Sequence, residues 1–372
     1  MTNTKNQYYN QPHDISAYKA KFEALKIAFS PMIFQVSIAL VELGILQKLS
    51  DAGEVGLSVK EIAKSLKLSD YGVGVLLDAA LSAHIVWLDE KNNHYILDKI
   101  GMMLLSDQMV RVNLDFNQYL CYEGLFHLTE SIKTGKAKGL KVFDETASSI
   151  YPLLTKLPEK AQKSWFNFDH YYSDKSFKAL LPMIFKTNNK PKTLLDVGGN
   201  TGKWAIECLK YDKDVIVTIA DLEAQLVVAN NNIKSHGFEK RFLSFAVNLL
   251  GPQVKLPFNY AFDLIWMSQF LDCFSLEEIK IILTKIVEIM TENTKLGILE
   301  LFWDRQIFEP AAFAINCTSI YFTALANGNS RMYHSKDLIN IIHKVGLYID
   351  YDEDAIGPGH TLLICKKKSQ HN

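Results

Sequence analysis

The 372-residue chain reads as an α/β protein with a mainly α region ahead of its sheet. Three observations predict this. From residue 191 onward, short apolar runs alternate with helix-compatible stretches, the pattern of a doubly wound parallel sheet. At residues 193–204 one run, TLLDVGGNTGKW, passes through a glycine-rich turn directly into a helical stretch. That strand–turn–helix unit binds a nucleotide-like ligand at the carboxyl edge of such a sheet. The last two runs, 347–352 and 360–366, lie too close together for a helical crossover, so they predict a terminal antiparallel hairpin.

The length suffices for two domains, each with its own core. Forty basic side chains against forty-one acidic ones give no field that would recruit nucleic acid or an anionic membrane. The first residues, MTNTKNQYYNQPHD, lack the basic-then-apolar order of a secretion signal. Five cysteines without metal spacing read as reduced thiols, so a cytoplasmic protein without a metal is expected. Residues 28–46 come nearest to a membrane span, but Pro31, Gln35 and Glu42 interrupt them, which favours a buried or subunit-facing helix.

In chain order, residues 22–49 carry apolar side chains at helical spacing on more than one face, including Phe29, Ile33, Phe34, Val36, Leu40 and Leu43. Ser58 can cap VKEIAKSLKL, and a second helix, YGVGVLLDAALSAH, follows Ser69 and Asp70. IVWLDEKNNHYILD then alternates and turns at Asn92 and Asn93, as a hairpin or wing does. The shape is that of a winged helix. Its charges argue against reading DNA, because residues 69–90 contain no Lys or Arg and four acids. Residues 111–131 and 161–185 are aromatic-rich helical stretches, whose Phe116, Tyr119, Tyr122 and Phe126 suit either core or a ligand pocket. Runs at 193–197, 215–220, 242–247, 262–267 and 296–302 supply the parallel strands. The expected division is a winged-helix-like region 1–110, a helical link 111–185, and a sheet domain 186–372.

Three ligands compete for the glycine loop. A phosphate-cradling loop needs Gly-Lys-Ser/Thr, whereas Gly202 and Lys203 precede Trp204. A dinucleotide fingerprint needs glycines at the first, third and sixth places, which here are Gly198, Asn200 and Lys203. What remains is an acid before the loop, Asp196, and a second acid, Asp221, after the next apolar run. Asp221 can grip both hydroxyls of a ribose, and Asp196 can lie near an ammonium or sulfonium. S-adenosylmethionine, a nucleoside with a cationic tail and no phosphate, fits that arrangement. Gly198, Gly199 and Gly202 permit the close approach it needs.

With these residues the chain resembles the class I S-adenosylmethionine-dependent O-methyltransferases of the caffeate and hydroxyindole type, with their bacterial small-molecule relatives. The resemblance runs from about residue 22 to residue 366. LLDVGGNTG carries it most strongly, and FDLIWMSQFLDCFSLEEI, LGILELF and SRMYHSKDLINIIHKVGL match later landmarks. It implies a Rossmann-like methyltransferase sheet, an N-terminal dimerisation domain and hence a homodimer. It further implies a small aromatic substrate, with S-adenosyl-L-methionine converted to S-adenosyl-L-homocysteine. Besides Asp196, Asp221 and the loop, it implies cofactor roles for Asn200, Leu222, Asn248, Leu249, Ser268, Gln269 and Tyr172. It implies substrate roles for Phe116, Tyr119, Phe168, Tyr171, Asn316 and Ile320. SQFLDCF is also similar to methyltransferases that accompany bacterial aryl-polyene pigment clusters, which implies a phenolic or hydroxycinnamate-like acceptor.

The chain departs from that family at the catalytic position. Asp272 stands where the plant relatives place a basic histidine; Glu300 matches the first supporting glutamate, and the second is replaced near Met332. Asn200 replaces a loop glycine, and Asn tolerates left-handed backbone. Asn248 replaces the adenine-side aspartate, and its amide oxygen can still accept from an amine. An ordinary Asp, with a pKa of about 4, is a weak base for a phenol of about 10. Burial beside Glu300 would raise one of the two carboxyls. Asp272 could also merely cap the next helix, although Ser275 is better placed for that. His170, among aromatics, is a further candidate base, whereas His334 and His360 read as surface or turn histidines. The expected activity is methyl transfer to a small, phenolic acceptor, at oxygen in preference to carbon. The alternatives are a relative that binds the cofactor without transferring methyl, and a winged-helix DNA-binding regulator.

Overall fold

The computed structural model describes residues 8–186, 189–251, 256 and 261–368. They form two compact units, Pro12–Leu120 on one side and Cys121–Asn372 with the described part of Met1–Gln11 on the other. The expected link at 111–185 is therefore not a body of its own. Its start closes the N-terminal unit. Its long helix, Glu159–Phe185, sends Phe177, Leu180, Leu181, Ile184 and Phe185 into the core of the sheet unit.

In the N-terminal unit, Ser16 caps the 26-residue helix Ala17–Glu42 by accepting from the Lys19 N–H at 3.2 Å. Gly44, with φ at 77°, breaks the chain before a second helix, Ile45–Ala52, so the single helical stretch expected at 22–49 is two helices. Helix Val59–Leu66 opens on a reciprocal capping box between Ser58 and Glu61, and Asp70–Ser82 opens on Ser69. Strands β1 (Val86–Asp89) and β2 (His94–Leu97) pair antiparallel through the expected turn, where Asn93 takes a left-handed φ of 54°. Leu40, Ile45, Leu46, Leu49, Ile62 and Leu77 are fully buried where the helices meet. The outer side of Ala17–Glu42 is not buried within the chain. Tyr18, Phe22, Leu25, Phe29 and Met32 recur every three or four residues and are all exposed, forming one apolar stripe. By length and composition alone this helix is apolar enough to cross a membrane.

The second unit is a seven-stranded sheet in the order β5-β4-β3-β6-β7-β9-β8. Its strands are β3 (Thr193–Val197), β4 (Ile216–Asp221), β5 (Phe242–Ala246), β6 (Leu264–Ser268), β7 (Lys295–Glu300), β8 (Leu347–Ile356) and β9 (His360–Lys367). The first five run parallel; β9 is antiparallel to both β7 and β8, which gives the expected terminal hairpin. Alternation along each strand feeds two cores. Leu195, Val197, Ile265 and Met267 face the helices Leu276–Ile289 and Ser335–Lys344. Leu194, Leu264 and Trp266 face Glu159–Phe185, Lys203–Tyr211 and Glu223–Ser235. The strand order reverses between β3 and β6, so a crevice opens at their carboxyl ends, where open α/β sheets hold ligands.

Candidate active site

At that crevice the backbone after β3 turns through Gly198 (φ 74°), Gly199 and Asn200 (φ 49°) into helix Lys203–Tyr211. A Cβ on Gly198 would lie 2.2 Å from the Phe270 ring, and one on Gly199 would lie 2.6 Å from Asp196 Oδ2. Asn200 takes the left-handed conformation expected of it. Its N–H donates to Asp221 Oδ2 at 2.8 Å, while the Leu222 N–H donates to Oδ1 at 2.7 Å. Asp221, the last residue of β4, is thus fixed against the loop with lone pairs left for hydroxyl groups. Burial raises its pKa, and these two N–H groups pull the other way. Asp196 is 2% exposed, and its Oδ2 has no partner. Burial and then the Asp221 charge push its carboxyl up to about 8. Such an orphaned acid suits a cationic ligand group.

Two cavities meet at this loop. The first is lined on one side by Leu222, Gln225, Val247, Asn248, Leu249 and Leu250, and on the other by Tyr151, Leu154, Trp165, Phe270, Cys273 and Phe274. The second is lined by Asp196, Gly199, Lys203, His170, Ser173 and Ser268, among others. Gly198, Asn200, Gln269 and Asp169 line both. The Asn248 amide oxygen accepts from the Leu250 N–H at 3.0 Å, so an adenine amine would have to use its second lone pair.

After β6 the chain forms a short 3-10 turn, Leu271–Cys273, before helix Leu276–Ile289. A capping box between Ser275 and Glu278 opens that helix, so Asp272 is not its cap. Glu300, at the end of β7, accepts from Phe270 N–H at 3.1 Å and Leu271 N–H at 2.8 Å, while its Oε2 is buried without a partner. Asp272 is 7% exposed. Burial pushes Asp272 up to about 6, and burial together with the Asp272 charge raises Glu300 well above the usual carboxylate range. Both carboxyls are raised, Asp272 by burial and Glu300 by burial and its neighbour's charge. The pair lies behind the cavity surface, however, because the turn presents Phe270 and Cys273 there and not Asp272.

Besides the rings of Trp165, Phe270 and Phe274, sequence reasoning missed two polar residues here. One is Asp169, on the face of helix Glu159–Phe185 that also carries Trp165, Ser173 and Ser176; its signal was the four-residue spacing to Trp165 and Ser173. The other is His360, which is fully buried and not the surface or turn histidine expected. Its Nε2 lies 2.7 Å from Gln269 Oε1 and its Nδ1 lies 2.9 Å from Ser176 Oγ. Burial lowers its pKa to about 3, so it is neutral and bridges the two. It thereby holds Gln269, whose φ is 48°, at the junction of the cavities.

The remaining candidates, His170 apart, fall outside the two linings. Phe168 and Tyr171 lie on other sides of helix Glu159–Phe185, with Lys175 Nζ over the Tyr171 ring at 3.8 Å, and Tyr172 is buried against both. Asn316 and Ile320 lie on helix Glu309–Tyr321. Phe116 and Tyr119 belong to the N-terminal unit, where Phe116 is buried and the Tyr119 hydroxyl donates to the Glu42 carboxylate. His170 does line the second cavity, stacked on Phe166 and 3.7 Å from Asp174. Among the described residues, no three His, Cys, Asp or Glu side chains are grouped as a metal would require.

Comparison with known proteins agrees with this architecture. Residues 21–95 match the model of a Dimerisation2-like domain. A curated relative, the L-tyrosine C(3)-methyltransferase of Streptomyces lavendulae, is 21% identical over 92% of this chain and 91% of its own length. Among solved structures, the apo form of the S-adenosylmethionine-dependent methyltransferase SibL shares the fold with a TM-score of 0.67, 21% identity, and coverage of 92% of this chain and 98% of that one. Human N-acetylserotonin methyltransferase in complex with S-adenosylmethionine gives 0.64, 15%, and coverage of 96% and 100%. In fold, in its N-terminal domain and in sequence the chain is thus similar to S-adenosylmethionine-dependent methyltransferases of the small-molecule O-methyltransferase type.

Proposed function

We propose that this methyltransferase acts on a small phenolic acceptor, at oxygen. The observation that carries the reading is the junction itself. The glycine loop forms one wall, the rings of Trp165, Phe270 and Phe274 form another, and the Asp169 carboxyl stands where the two cavities meet. An aromatic acceptor suits such a wall, and its hydroxyl can point at an acid. On the donor side, Asp221 would take the ribose hydroxyls, and Leu222, Asn248 and Leu249 the adenine. Asp196, Ser268 and Gln269 would face the amino-acid end. When bound, S-adenosylmethionine supplies an electrophilic methyl group on a sulfonium. The chain's own residues align the acceptor, exclude water and take the proton.

Ring methylation is the second reading, because the relative from Streptomyces lavendulae is named for methylation at carbon. A phenolate is nucleophilic at oxygen and at the ortho carbon, and alignment decides between them. The exposed stripe of Ala17–Glu42 would be covered by a second copy of the chain, making a homodimer. Labelled methyl donor with a panel of phenols, read by mass and proton spectra, tests the activity. A methoxy product is expected. A ring methyl would select the second reading, and binding of the donor without transfer to any phenol would overturn both.

A further inference from the structure

We propose that Asp169, and not Asp272, is the catalytic residue that receives the acceptor's proton, with Asp272 behind it as a positioning charge. This rests on the phenol reading above. Among the described residues Asp169 is the one carboxyl that lines both cavities; Asp221 lines the first and Asp196 the second, both on the donor side. It stands between Trp165, on the wall for a ring, and Ser173, on the wall beside the glycine loop. Asp272 and Glu300 are almost completely buried and reach neither lining. A base has to come within hydrogen-bond distance of the proton it takes, so position ranks ahead of acidity.

The electrostatics around Asp169 suit the task. Burial, then the charges of Asp272 and Asp174, push its carboxyl up to about 7, against the pull of Lys203. Lys203 is itself tied to Asp174 Oδ2 at 2.9 Å, which turns part of its charge away. The other titratable groups around it are His170, with Nδ1 3.8 Å from Asp169 Oδ2, and Tyr321, whose hydroxyl accepts from Trp165 Nε1 at 2.9 Å. A carboxyl raised in this way narrows the gap to a phenol of about 10. The like charge of Asp272 is what the aspartate-for-histidine replacement at that position contributes: it makes Asp169 more basic without touching the acceptor.

In the step proposed, the phenolic O–H bond breaks, its electron pair stays on oxygen and the proton passes to the Asp169 carboxylate. The oxygen then forms the O–CH3 bond as the S–CH3 bond breaks, with that pair left on sulfur. The carboxylic acid returns its proton to water.

The test compares Asp169→Asn and Asp272→Asn with the native chain on phenols whose pKa runs from about 7 to about 10. Asp169→Asn is expected to lower kcat by about 10²–10⁴-fold on the least acidic phenols and much less on nitrophenols, which ionise unaided. S-adenosylhomocysteine affinity, by calorimetry, should stay within about threefold, since Asp169 makes no donor contact in this reading. Carbon-13 NMR of carboxyl-labelled aspartate in the ligand-free protein should show a resonance titrating near neutrality that Asp169→Asn removes. Asp272→Asn should move that resonance, and the acid limb of the kcat profile, to lower pH, with a fall in kcat of no more than about tenfold. Equal losses on all phenols with weakened S-adenosylhomocysteine binding would make Asp169 a donor-holding residue and overturn the proposal. So would the larger loss falling on Asp272→Asn. A native chain that methylates no phenol would instead sink the phenol reading, and the titration would still show whether Asp169 is the near-neutral carboxyl.

Discussion

The two units depart from the usual partition of apolar inside and polar outside, and they do so in opposite senses. The N-terminal unit leaves Tyr18, Phe22, Leu25, Phe29 and Met32 in the open along one helix. The sheet unit buries carboxyls, among them Asp196 and Glu300, each with an oxygen that has no partner. Either departure costs stability in the isolated chain. What differs is the kind of partner that would relieve it. An apolar stripe with a three-and-four repeat calls for another apolar stripe, which a second copy related by a two-fold axis would supply. Orphaned carboxyls call for a cation or hydroxyl groups, and a nucleoside with a sulfonium and an ammonium carries all of these.

The largest effect should come from breaking the first half of this comparison. Leu25→Glu with Phe29→Glu places two charges in the stripe, and burying them unpaired costs several kcal/mol each. Light scattering should show a dimer for the native chain and a monomer for the double variant, with dissociation strengthened by about a thousandfold or more. A dimer that survives both charges would locate the interface elsewhere. The second effect tests the polar half. Asp221→Ala removes the carboxylate that the loop holds in place, and S-adenosylhomocysteine affinity should fall about tenfold to a hundredfold, as for lost charged hydrogen bonds. Unchanged affinity in calorimetry would detach Asp221 from the ribose.

The smallest effect concerns pH. Asp272, Asp169 and Asp196 are pushed up to about 6, 7 and 8, whereas an unfolded Asp titrates at about 4. The folded state therefore binds these protons more tightly than the unfolded chain does. Their contribution to stability is fully present below about 4 and is lost as pH rises through the three folded values. The ligand-free protein should melt a few degrees lower at pH 8.5 than at pH 6, and a saturating nucleoside ligand should shrink that difference. A melting point that rises over this interval would contradict the burial of these acids in uncompensated form.

Features encoded over a few neighbouring residues were legible in the sequence. The Ser58 and Ser275 caps, the turn at Asn93 and the glycine loop each follow from chemistry within about one helical turn. The offsets of β4 and β6 by one or two residues from the expected runs are ordinary for apolar runs with ragged ends. The closing hairpin was legible from spacing alone, since seven residues or so cannot make a crossover. Asp169 and His360 were missed for different reasons. His360 meets Ser176, 184 positions earlier, and Gln269, 91 positions earlier. No local pattern marks a histidine whose partners arrive from that far. Asp169 was read past because the aromatic neighbours Phe168, Tyr171 and Tyr172 matched a familiar pattern more loudly than the helix face did.

The position of β9 bears on how the molecule is made. This strand lies near the end of the chain, yet it is inserted between β7 and β8 and pairs Thr361 opposite Glu300. On a ribosome, β8 emerges with no neighbour to join, and the edge of β7 beside Glu300 stays open until β9 has left the exit tunnel. His360, at the head of β9, reaches Gln269 only then. The strands of the N-terminal unit, by contrast, pair within that unit, so both are made long before β9 is. Synthesis that stops short of β9 therefore leaves the N-terminal hairpin with its partner but the sheet unfinished and Gln269 without the His360 bridge.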